Sequence, residues 1–355
     1  MYKDNVVGVV IPAYNEEDHI SDVVSTVPSF VDRVYVIDDH STDDTWAEIQ
    51  RAASHIKQQT ISGNSEVYDS RIVTIQHETN RGVGGAIKTG YLKALEDDID
   101  TVAVMGGDGQ MDPALLKGII DPVVEGYADY AKGNRFLRQE TRRNVPPFRT
   151  FGNLLLSGLS KIASGYWAIG DSQNGYSAIS KEALETVDIE EMYEFYGYCN
   201  DLLVKLNVAN MVVADVPTPI RYEDETSSIN YRTYVPRVSR LLFENFVWRL
   251  KEKYLIKDFN PIVLLYSLGM VGGITSVVYI INTLRSADVD NATAQTLTNF
   301  LISTLLIVQG MMKDKAENDH LAKRIEKRSG PLSLTGSTDP SGDDDFQGIT
   351  SNQGK

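Results

Sequence analysis

The chain has 355 residues, 42% of them hydrophobic, which is enough for one large domain or two with a real core. Its 34 Lys and Arg against 49 Asp and Glu give a formal net charge of -15 and exclude a general nucleic-acid-binding protein, which needs clustered basic residues. The single cysteine, Cys199, excludes an internal disulfide and a cysteine-based zinc site, and fits a reducing compartment best. The acidic residues are spread along the chain, which is typical of a halophilic protein, although a moderately acidic mesophilic protein is the open alternative.

Strands and helices alternate over the first 113 residues. Runs of β-branched residues predict strands at residues 6–11, 34–37, 71–76 and 101–105. Apolar residues at helical spacing predict helices that follow residue 17, begin near residue 43 and span 86–95. This alternation predicts an α/β fold with a parallel, doubly wound sheet.

The fourth predicted strand stops at a glycine pair and is followed by Asp108, Gly109 and Gln110. In open α/β sheets ligands bind at the carboxyl ends of the strands, so Asp108 is a candidate metal-site or phosphate-site residue. A turn or helix cap is the alternative for an aspartate after a strand.

Strands become sparser beyond residue 113, and the loops carry Arg, Gly and aromatic residues. We predict helices at residues 154–162 and 199–207 and a strand at 211–216. We interpret this segment as an elaboration of the first half, so that residues 1–230 form one catalytic domain.

Residues 231–258 carry seven basic and three acidic side chains within an otherwise acidic chain. Apolar residues recur at every fourth position along one side, at Val238, Leu242, Phe246 and Leu250. Trp248 and Tyr254 are suited to anchor the segment at an interface. The pattern favours a basic amphipathic helix on a membrane surface, with an ordinary buried helix as the alternative.

Residues 259–284 and 291–312 contain no charged side chain, and each stretch exceeds the roughly 20 residues that span a bilayer. They predict a hairpin of two transmembrane helices, with two buried helices of a soluble core as the alternative. Basic residues crowd its outer flanks, so the positive-inside rule places the catalytic domain and the C-terminus in the cytoplasm. Residues 313–355 are predicted to be a cytosolic, mostly disordered tail.

Six motifs occur in register: VVIPAYNEE, VIDDHSTDDT, NRGVGGAIKTGY, MGGDGQMDP, GNRF and DSQNGYSAIS. Together they resemble the family 2 glycosyltransferases with the GT-A fold, and most closely the dolichyl-phosphate mannose synthases and related polyprenyl-phosphate glycosyltransferases. The resemblance covers residues 6–234. It implies a Rossmann-like GT-A catalytic domain, and a C-terminal membrane hairpin recurs in that group.

The resemblance implies a set of nucleotide-sugar-binding positions. They are Pro12, Tyr14, Glu16, Asp38, Asp39, Gly82 and Asp108. The pair Asp38–Asp39 matches the acids that bind the base and the ribose. Carboxylates suit this task because ribose hydroxyls and base N–H groups are hydrogen-bond donors.

The resemblance also implies a magnesium or manganese ion. Asp108 matches the second Asp of the family's DxD motif and Gln110 matches the Gln that follows it, whereas Gly106 stands where the first Asp is expected. The predicted protein ligands are therefore Asp108 and Gln110. So few can suffice when the donor diphosphate and water complete the coordination shell.

Three further residues match the part of the site where the transfer occurs. Arg135 and Arg149 match positions that hold phosphates of the donor or the acceptor, with structural salt bridges as the alternative. Asp171 matches an acid of the family's active site and, with Asp108 and Arg135, completes the implied catalytic set. We expect Asp171 to orient groups or the metal, because a polyprenyl phosphate is already anionic and needs no base.

These expectations describe an inverting transferase on the cytosolic face of the cell membrane. It would move mannose or glucose from GDP-mannose or UDP-glucose to dolichyl phosphate and supply lipid-linked sugar for protein glycosylation. Two alternatives stay open: a transferase that extends a lipid-linked saccharide, and a non-catalytic membrane scaffold, for which Gly106 is the best indication.

Overall fold

The structure is a computed structural model that describes residues 1–60, 70–137, 147–218, 231–286, 292–326 and 333–334. The strands in these residues are β1 (Val7–Ala13), β2 (Arg33–Asp38), β3 (Ile72–Gln76), β4 (Thr101–Val104), β5 (Tyr130–Asn134), β6 (Ser177–Ser180), β7 (Val213–Pro217), β8 (Ala322–Glu326) and β9 (Ser333–Leu334). The helices are α1 (Ile20–Thr26), α2 (Thr45–Thr60), α3 (Val83–Glu96), α4 (Leu116–Val124), α5 (Pro147–Ser164), α6 (Lys181–Thr186), α7 (Tyr198–Val208), α8 (Tyr231–Lys251), α9 (Ile262–Ser286) and α10 (Ala292–Asn318). A π-helical segment, Glu252–Lys257, follows α8, and short 3₁₀ turns precede α4 and β8.

The strands form one sheet in the order β3-β2-β1-β4-β6-β5-β7-β8-β9. β1 is parallel to both of its neighbours, with Val10 opposite Tyr35 on β2 and Val104 on β4, and β6 runs antiparallel to β4 and β5. The carboxyl ends of β1 to β4 therefore meet at one edge of the sheet, which is where the sequence motifs end. The predicted α/β fold with a mostly parallel sheet is confirmed.

The parallel strands are buried on both faces, which explains their uninterrupted β-branched sequences. On β1, Val9 and Ile11 belong to one hydrophobic core and Val10 to the other. Helix α3 packs tightly over this strand, because a Cβ at Gly90 would lie 2.4 Å from Cγ1 of Val10. Only glycine permits that separation between helix and sheet.

The predicted elements agree with the observed ones to within two residues at most ends in the first half. The helices predicted at 154–162 and 199–207 lie within α5 and α7, and the strand predicted at 211–216 overlaps β7. Strands β5 and β6 were missed because their sequences, YAKGN and SAIS, carry few large apolar residues. They belong to the same sheet as β1 to β4, as expected if this segment elaborates the first half.

The chain returns to the sheet after the second long helix. Strand β8 runs parallel to β7, with Ala322 opposite Val213, while Leu321 and Ile325 are buried. The prediction that the tail begins at residue 313 was therefore wrong, because 313–318 continue α10 and 322–326 extend the sheet. These two buried apolar side chains and the pairing with β7 dock this short segment. Residues 327–332 and 335–355 lie outside the described residues.

The apolar side of α8 faces the protein. Val238, Leu242, Phe246 and Leu250 pack in a third core with residues of α5, α7 and α9. The prediction that this side lies on a membrane was wrong, and so was the assignment of Tyr254 as an interface anchor, since it is only 2% exposed. The opposite side of α8 is exposed and carries Phe243, Val247 and Trp248 among charged residues.

Helices α9 and α10 pack against each other as a pair. A Cβ at Gly269 would lie 2.6 Å from Cγ1 of Ile307, so a glycine at this position allows the close approach. Among the described residues only Ile262–Thr283, within α9, is long and apolar enough to cross a membrane. The predicted pair of helices is present, but two membrane spans are not confirmed, because α10 is rich in Thr, Asn and Gln.

Candidate active site

The loops after β1 and β2 are held together by hydrogen bonds between polar groups. The backbone N–H of Asn15 donates to Oγ of Ser41 at 3.0 Å, and that of Glu16 donates to Oγ1 of Thr45 at 2.7 Å. Asn15 has a positive φ of 56°, which turns the chain away from the strand after Tyr14. The Tyr14 ring is 47% exposed at the rim, and Pro12 and Glu16 lie half-buried beside it.

Asp38 is fully buried at the end of β2. Its Oδ1 accepts hydrogen bonds from the backbone N–H and the hydroxyl of Ser41, and its Oδ2 accepts from Nε2 of Gln76 at 2.9 Å. The carboxylate therefore orders the start of its own loop and ties β2 to β3.

Asp39 closes the glycine-rich loop that precedes α3. Its Oδ1 lies 2.7 Å from Nδ1 of His77 and accepts from the N–H of Arg81, and its Oδ2 accepts from the N–H of Gly82 at 2.7 Å. Both oxygens thus fix backbone donors of the loop. No role was predicted for His77, because its partner Asp39 lies 38 positions away in the chain and no local motif links the two residues.

The glycine-rich loop is covered by a segment that the sequence did not connect with it, residues 193–197. Gly82 has a φ of +80°, and a Cβ there would lie 2.8 Å from the carbonyl oxygen of Glu194. Oε1 of Glu194 also accepts from Nζ of Lys88 at 2.8 Å and pairs with Arg81. Burial raises the pKa of Glu194, but the two cations outweigh it and the pKa lies below its usual value.

Asp108 lies half-buried on the loop after β4. Its Oδ1 accepts from the backbone N–H of Gln110 at 3.1 Å, across Gly109 with a φ of +73°. A Cβ at Gly106 would be 2.9 Å from the same oxygen, so Gly106 leaves room for the carboxylate. Asp112 caps the following 3₁₀ turn through the N–H of Ala114.

The donor set at this loop is one carboxylate and one amide side chain, that of the exposed Gln110. No group of three His, Cys, Asp or Glu side chains suited to a metal ion occurs in the part of the chain that the structure describes. Hard oxygen donors fit magnesium or manganese, but two of them do not form an all-protein cage. The residues fit an ion that arrives with a diphosphate better than an ion held permanently.

Asp171 forms a two-pronged pair with Arg135. Nε and Nη2 of Arg135 donate to the two carboxylate oxygens, each at 2.8 Å, and the Arg135 backbone N–H donates to Oδ2. The Asp171 side chain is buried, whereas that of Arg135 is 41% exposed. Burial raises the pKa of Asp171, but Arg135 and Lys132 outweigh it and the pKa lies below its usual value. The carboxylate is thus an ionised partner of the arginine and a poor general base.

A buried lysine supports this pair from below. Nζ of Lys132, on β5, donates to the carbonyl oxygens of Gly170 at 2.8 Å and Asp171 at 2.7 Å. It lies 3.7 Å from Oδ1 of Asp215 on β7, whose Oδ2 accepts from Nδ2 of Asn134 and from the N–H of Gly170. These contacts hold Asp171 at a positive φ of 44°. Arg149, the second predicted phosphate ligand, lies in the first part of α5, residues 147–155, whose side chains are outside the described part of the structure.

Comparisons with known proteins identify the family of this chain. The model of the glycosyl transferase family 2 matches residues 8–188. UDP-N-acetylglucosamine--dolichyl-phosphate N-acetylglucosaminyltransferase from Methanococcus voltae is 31% identical over 62% of this chain and 88% of its own length. Glycosyltransferase AglJ from Haloferax volcanii is 24% identical over 91% of this chain and 98% of its own length.

Two more proteins extend these comparisons. Dolichol-phosphate mannosyltransferase from Pyrococcus furiosus is 25% identical over 66% of this chain and 63% of its own length. The crystal structure of glucosyl-3-phosphoglycerate synthase from Mycobacterium tuberculosis with Mn²⁺ and UDP covers 69% of this chain and 80% of its own chain, at 18% identity and a TM-score of 0.49. A likeness that slight says nothing about the ligands of this chain. The family match spans half of the chain, and the chain belongs to the glycosyl transferase family 2 and is a glycosyltransferase.

Proposed function

We propose that this protein transfers a hexose, with inversion at the anomeric carbon, from a nucleotide-diphosphate sugar to dolichyl phosphate or a related polyprenyl phosphate. The observation that carries the proposal is that one domain contains both the sheet edge where the family motifs end and a helix long and apolar enough to cross a membrane. After the helix pair, the chain returns to this domain as β8, which pairs with β7. The relatives whose names include dolichyl phosphate support the same acceptor.

The nucleotide would bind over the carboxyl ends of β1 to β4. Pro12, Tyr14 and Glu16 border this edge, while Asp38 and Asp39 fix the loops that form its floor. The Oδ2 atoms of Asp38 and Asp39 each accept one hydrogen bond and keep a lone pair that can accept from a ribose or base donor. Gly82 lies at the N-terminus of α3, a helix end whose dipole would favour the negative charge of the diphosphate.

Asp108 would hold a magnesium or manganese ion together with the donor diphosphate, with Gln110 beside it. The ion, when bound, neutralises the charge that develops on the departing nucleoside diphosphate. Gly106 stands where the family motif has its first carboxylate, so we expect the protein alone to bind the ion weakly. Affinity for the ion should rise when the nucleotide is present.

The acceptor phosphate would approach Arg135, with Asp171 as the residue that orients the guanidinium. A phosphate monoester is anionic near neutral pH, so its oxygen can attack the anomeric carbon without first losing a proton. Since the pKa of Asp171 lies below its usual value, its carboxylate stays charged and keeps the arginine fork in place. Arg149 is the second candidate for this phosphate.

The helix pair would place this site at the cytosolic membrane surface. Both of its ends return to the same catalytic domain, through α8 on one side and β8 on the other, which favours entry and exit on one side of the bilayer. Leu255, Ile256 and Phe259 are more than half exposed just before α9 begins, where they can enter the headgroup region. Two spans remain part of the proposal, with α10 as the second.

A transfer assay tests the proposal. The full chain in detergent receives labelled GDP-mannose, UDP-glucose or UDP-N-acetylglucosamine, with short dolichyl phosphate as the acceptor. Labelled lipid that mild acid hydrolyses is the expected product. A parallel reaction offers a short dolichyl-linked saccharide as the acceptor. Label that enters only this saccharide would favour the extending transferase, and no transfer from any donor to either acceptor would contradict the proposal.

The charge of -15 supports adaptation to high salt, and AglJ of Haloferax volcanii aligns over nearly the whole chain. We expect the melting temperature and the transfer rate to increase with potassium chloride concentration up to the molar range. If both are highest in dilute buffer, the halophilic assignment fails.

A further inference from the structure

Residues 165–171, GYWAIGD, connect α5 with Asp171, and we call them the approach segment. Side chains of strands β5 and β7 hold its last two residues, Gly170 and Asp171. The N–H of Gly170 donates to Asp215 at 2.7 Å, and the carbonyl oxygens of residues 170 and 171 accept from Lys132.

The earlier part of the approach segment is held by the parts of the chain that flank the helix pair. Nε1 of Trp167 donates to Oδ2 of Asp314 at 3.2 Å, near the end of α10. The carbonyl oxygen of Ala168 accepts from Nε and Nη2 of Arg324 on β8, at 3.0 and 2.9 Å. Gly165 has a φ of +78°, and a Cβ there would lie 2.6 Å from Nη1 of Arg249.

Asp314 is rigidly held and can therefore serve as a fixed point for Trp167. Arg249 donates to both of its oxygens, each at 2.9 Å, and neither side chain is exposed. Tyr254 and Asn318 also donate to Asp314. Because so many donors contact this buried carboxylate, its position relative to Arg249 and Tyr254 is fixed. A displacement of α10 would therefore move the Asp314 carboxylate and, through Trp167, the approach segment.

We propose that Asp314 and Arg324 are positioning residues for Asp171: they make the return of the chain from the helix pair part of the active-site scaffold. The helix pair would then be more than an anchor, because its docking sets the geometry of the Asp171–Arg135 pair. The catalytic consequence rests on the proposed glycosyl transfer, whereas the ordering of the approach segment does not.

Two neighbouring residues of β8 provide a matched test in the full-length protein. Arg324→Met removes both hydrogen bonds to Ala168. Lys323→Met removes a cation and one hydrogen bond as well, but its bond is to the carbonyl oxygen of Tyr127, outside the approach segment. With short dolichyl phosphate, we expect Arg324→Met to lower kcat about tenfold and to leave the donor KM unchanged. The reason is that a small displacement of the Asp171–Arg135 pair is enough to slow a reaction that depends on orientation. Lys323→Met should keep the wild-type kcat.

Hydrogen exchange supplies a readout that does not depend on turnover. The backbone N–H groups of residues 167–171 should exchange faster in Arg324→Met than in Lys323→Met, and Arg324→Lys should recover part of both the protection and kcat. Trp167→Phe keeps the packing but removes the bond to Asp314, so it should reproduce the loss of kcat. Unchanged kcat in Arg324→Met, or an equal loss in both Met variants, would overturn the inference.

If the wild-type protein transfers no sugar, the proposed function fails and hydrogen exchange alone decides this inference. Faster exchange at residues 167–171 in Arg324→Met alone supports it. Equal exchange in Arg324→Met and Lys323→Met overturns it.

Discussion

The two halves of the sheet secure their polar side chains in different ways. In the β1–β3 half, the carboxylates of Asp38 and Asp39 accept backbone N–H groups of neighbouring loops at the edge where the carboxyl ends of β1 to β4 meet. On the β5–β8 side of the sheet, buried ion pairs join elements distant along the chain, and Arg249 and Asp314 lie 65 positions apart, with α9 and most of α10 between them. The first arrangement orders the loops of the proposed donor site, whereas the second would couple that site to the helix pair.

The largest expected effect breaks the buried pair of the second half. Asp314→Asn leaves the Arg249 charge buried without its partner, so the free energy of unfolding in detergent should fall by about 3–5 kcal/mol. The double variant Arg249→Met/Asp314→Leu should recover most of it, because neither member of the pair is left as an unpaired buried charge. Arg240→Met, in the exposed pair with Glu244, is the control and should leave stability unchanged. If Asp314→Asn lowers the free energy of unfolding no more than this control does, the pair does not stabilise the contact between α8 and α10.

Asp108→Asn removes the charge that would hold the ion while keeping the side-chain shape. We expect kcat to fall by about 10²–10³-fold, the range seen when one electrostatic contact to a developing charge is lost. Asp112→Asn is the matched control, since an asparagine at 112 can still cap the 3₁₀ turn and should keep the wild-type rate. Steady-state transfer at increasing Mg²⁺ measures both variants. Equal rates for wild type and Asp108→Asn would exclude Asp108 as a metal ligand.

Gly82→Ala tests how closely the glycine-rich loop is packed. The new Cβ would need a positive φ and would meet the carbonyl oxygen of Glu194, so we expect a loss of about 1–3 kcal/mol in stability and a higher donor KM. Gly118→Ala on α4, where a Cβ meets nothing within 4 Å, is the control and should be neutral or stabilising. Denaturant unfolding and donor titration give the two quantities. Indistinguishable results for the two variants would refute the tight contact.

The smallest effect, measured per pH unit, concerns Lys253, which donates to Asn207 and Asn318 beside the buried pair. Burial, aided by Arg249, lowers the pKa of Lys253 to about 8. The unfolded chain keeps the ordinary pKa near 10.4 and binds more protons between these values, so stability should rise with pH from about 8 to about 10.4. The slope should exceed that of Lys253→Met by up to about 1.4 kcal/mol per pH unit. Parallel curves of unfolding free energy against pH would place the pKa of Lys253 at its ordinary value.

The sequence was most informative where structure is local. The β-branched runs predicted β1 to β4, and the glycine pair after β4 placed Asp108 at the sheet edge. The motifs also brought Asp171 and Arg135 into one prediction, and the structure pairs them. Contacts such as these follow from strand order and short loops, which a motif records.

What the sequence could not provide depends on distant partners. Arg249 and Lys253 resemble basic residues that flank a membrane helix, yet both are buried, because Asp314 and Asn318 return to meet them after the hairpin. The same return explains why the periodicity of α8 was assigned to the wrong environment, since a period of four residues does not reveal what covers the apolar side. Glu194 and His77 were missed because their partners, Lys88 and Asp39, are also distant along the chain.

One assay tests the central proposal most directly: transfer of labelled sugar from a nucleotide donor to short dolichyl phosphate by the full chain, with wild type and Asp108→Asn measured side by side at saturating Mg²⁺ and after its removal by a chelator. We predict a mild-acid-labile lipid product that forms rapidly only with wild type and Mg²⁺. A product that forms equally fast without the ion or without the Asp108 carboxylate, or no lipid product from any donor, would contradict the proposed function.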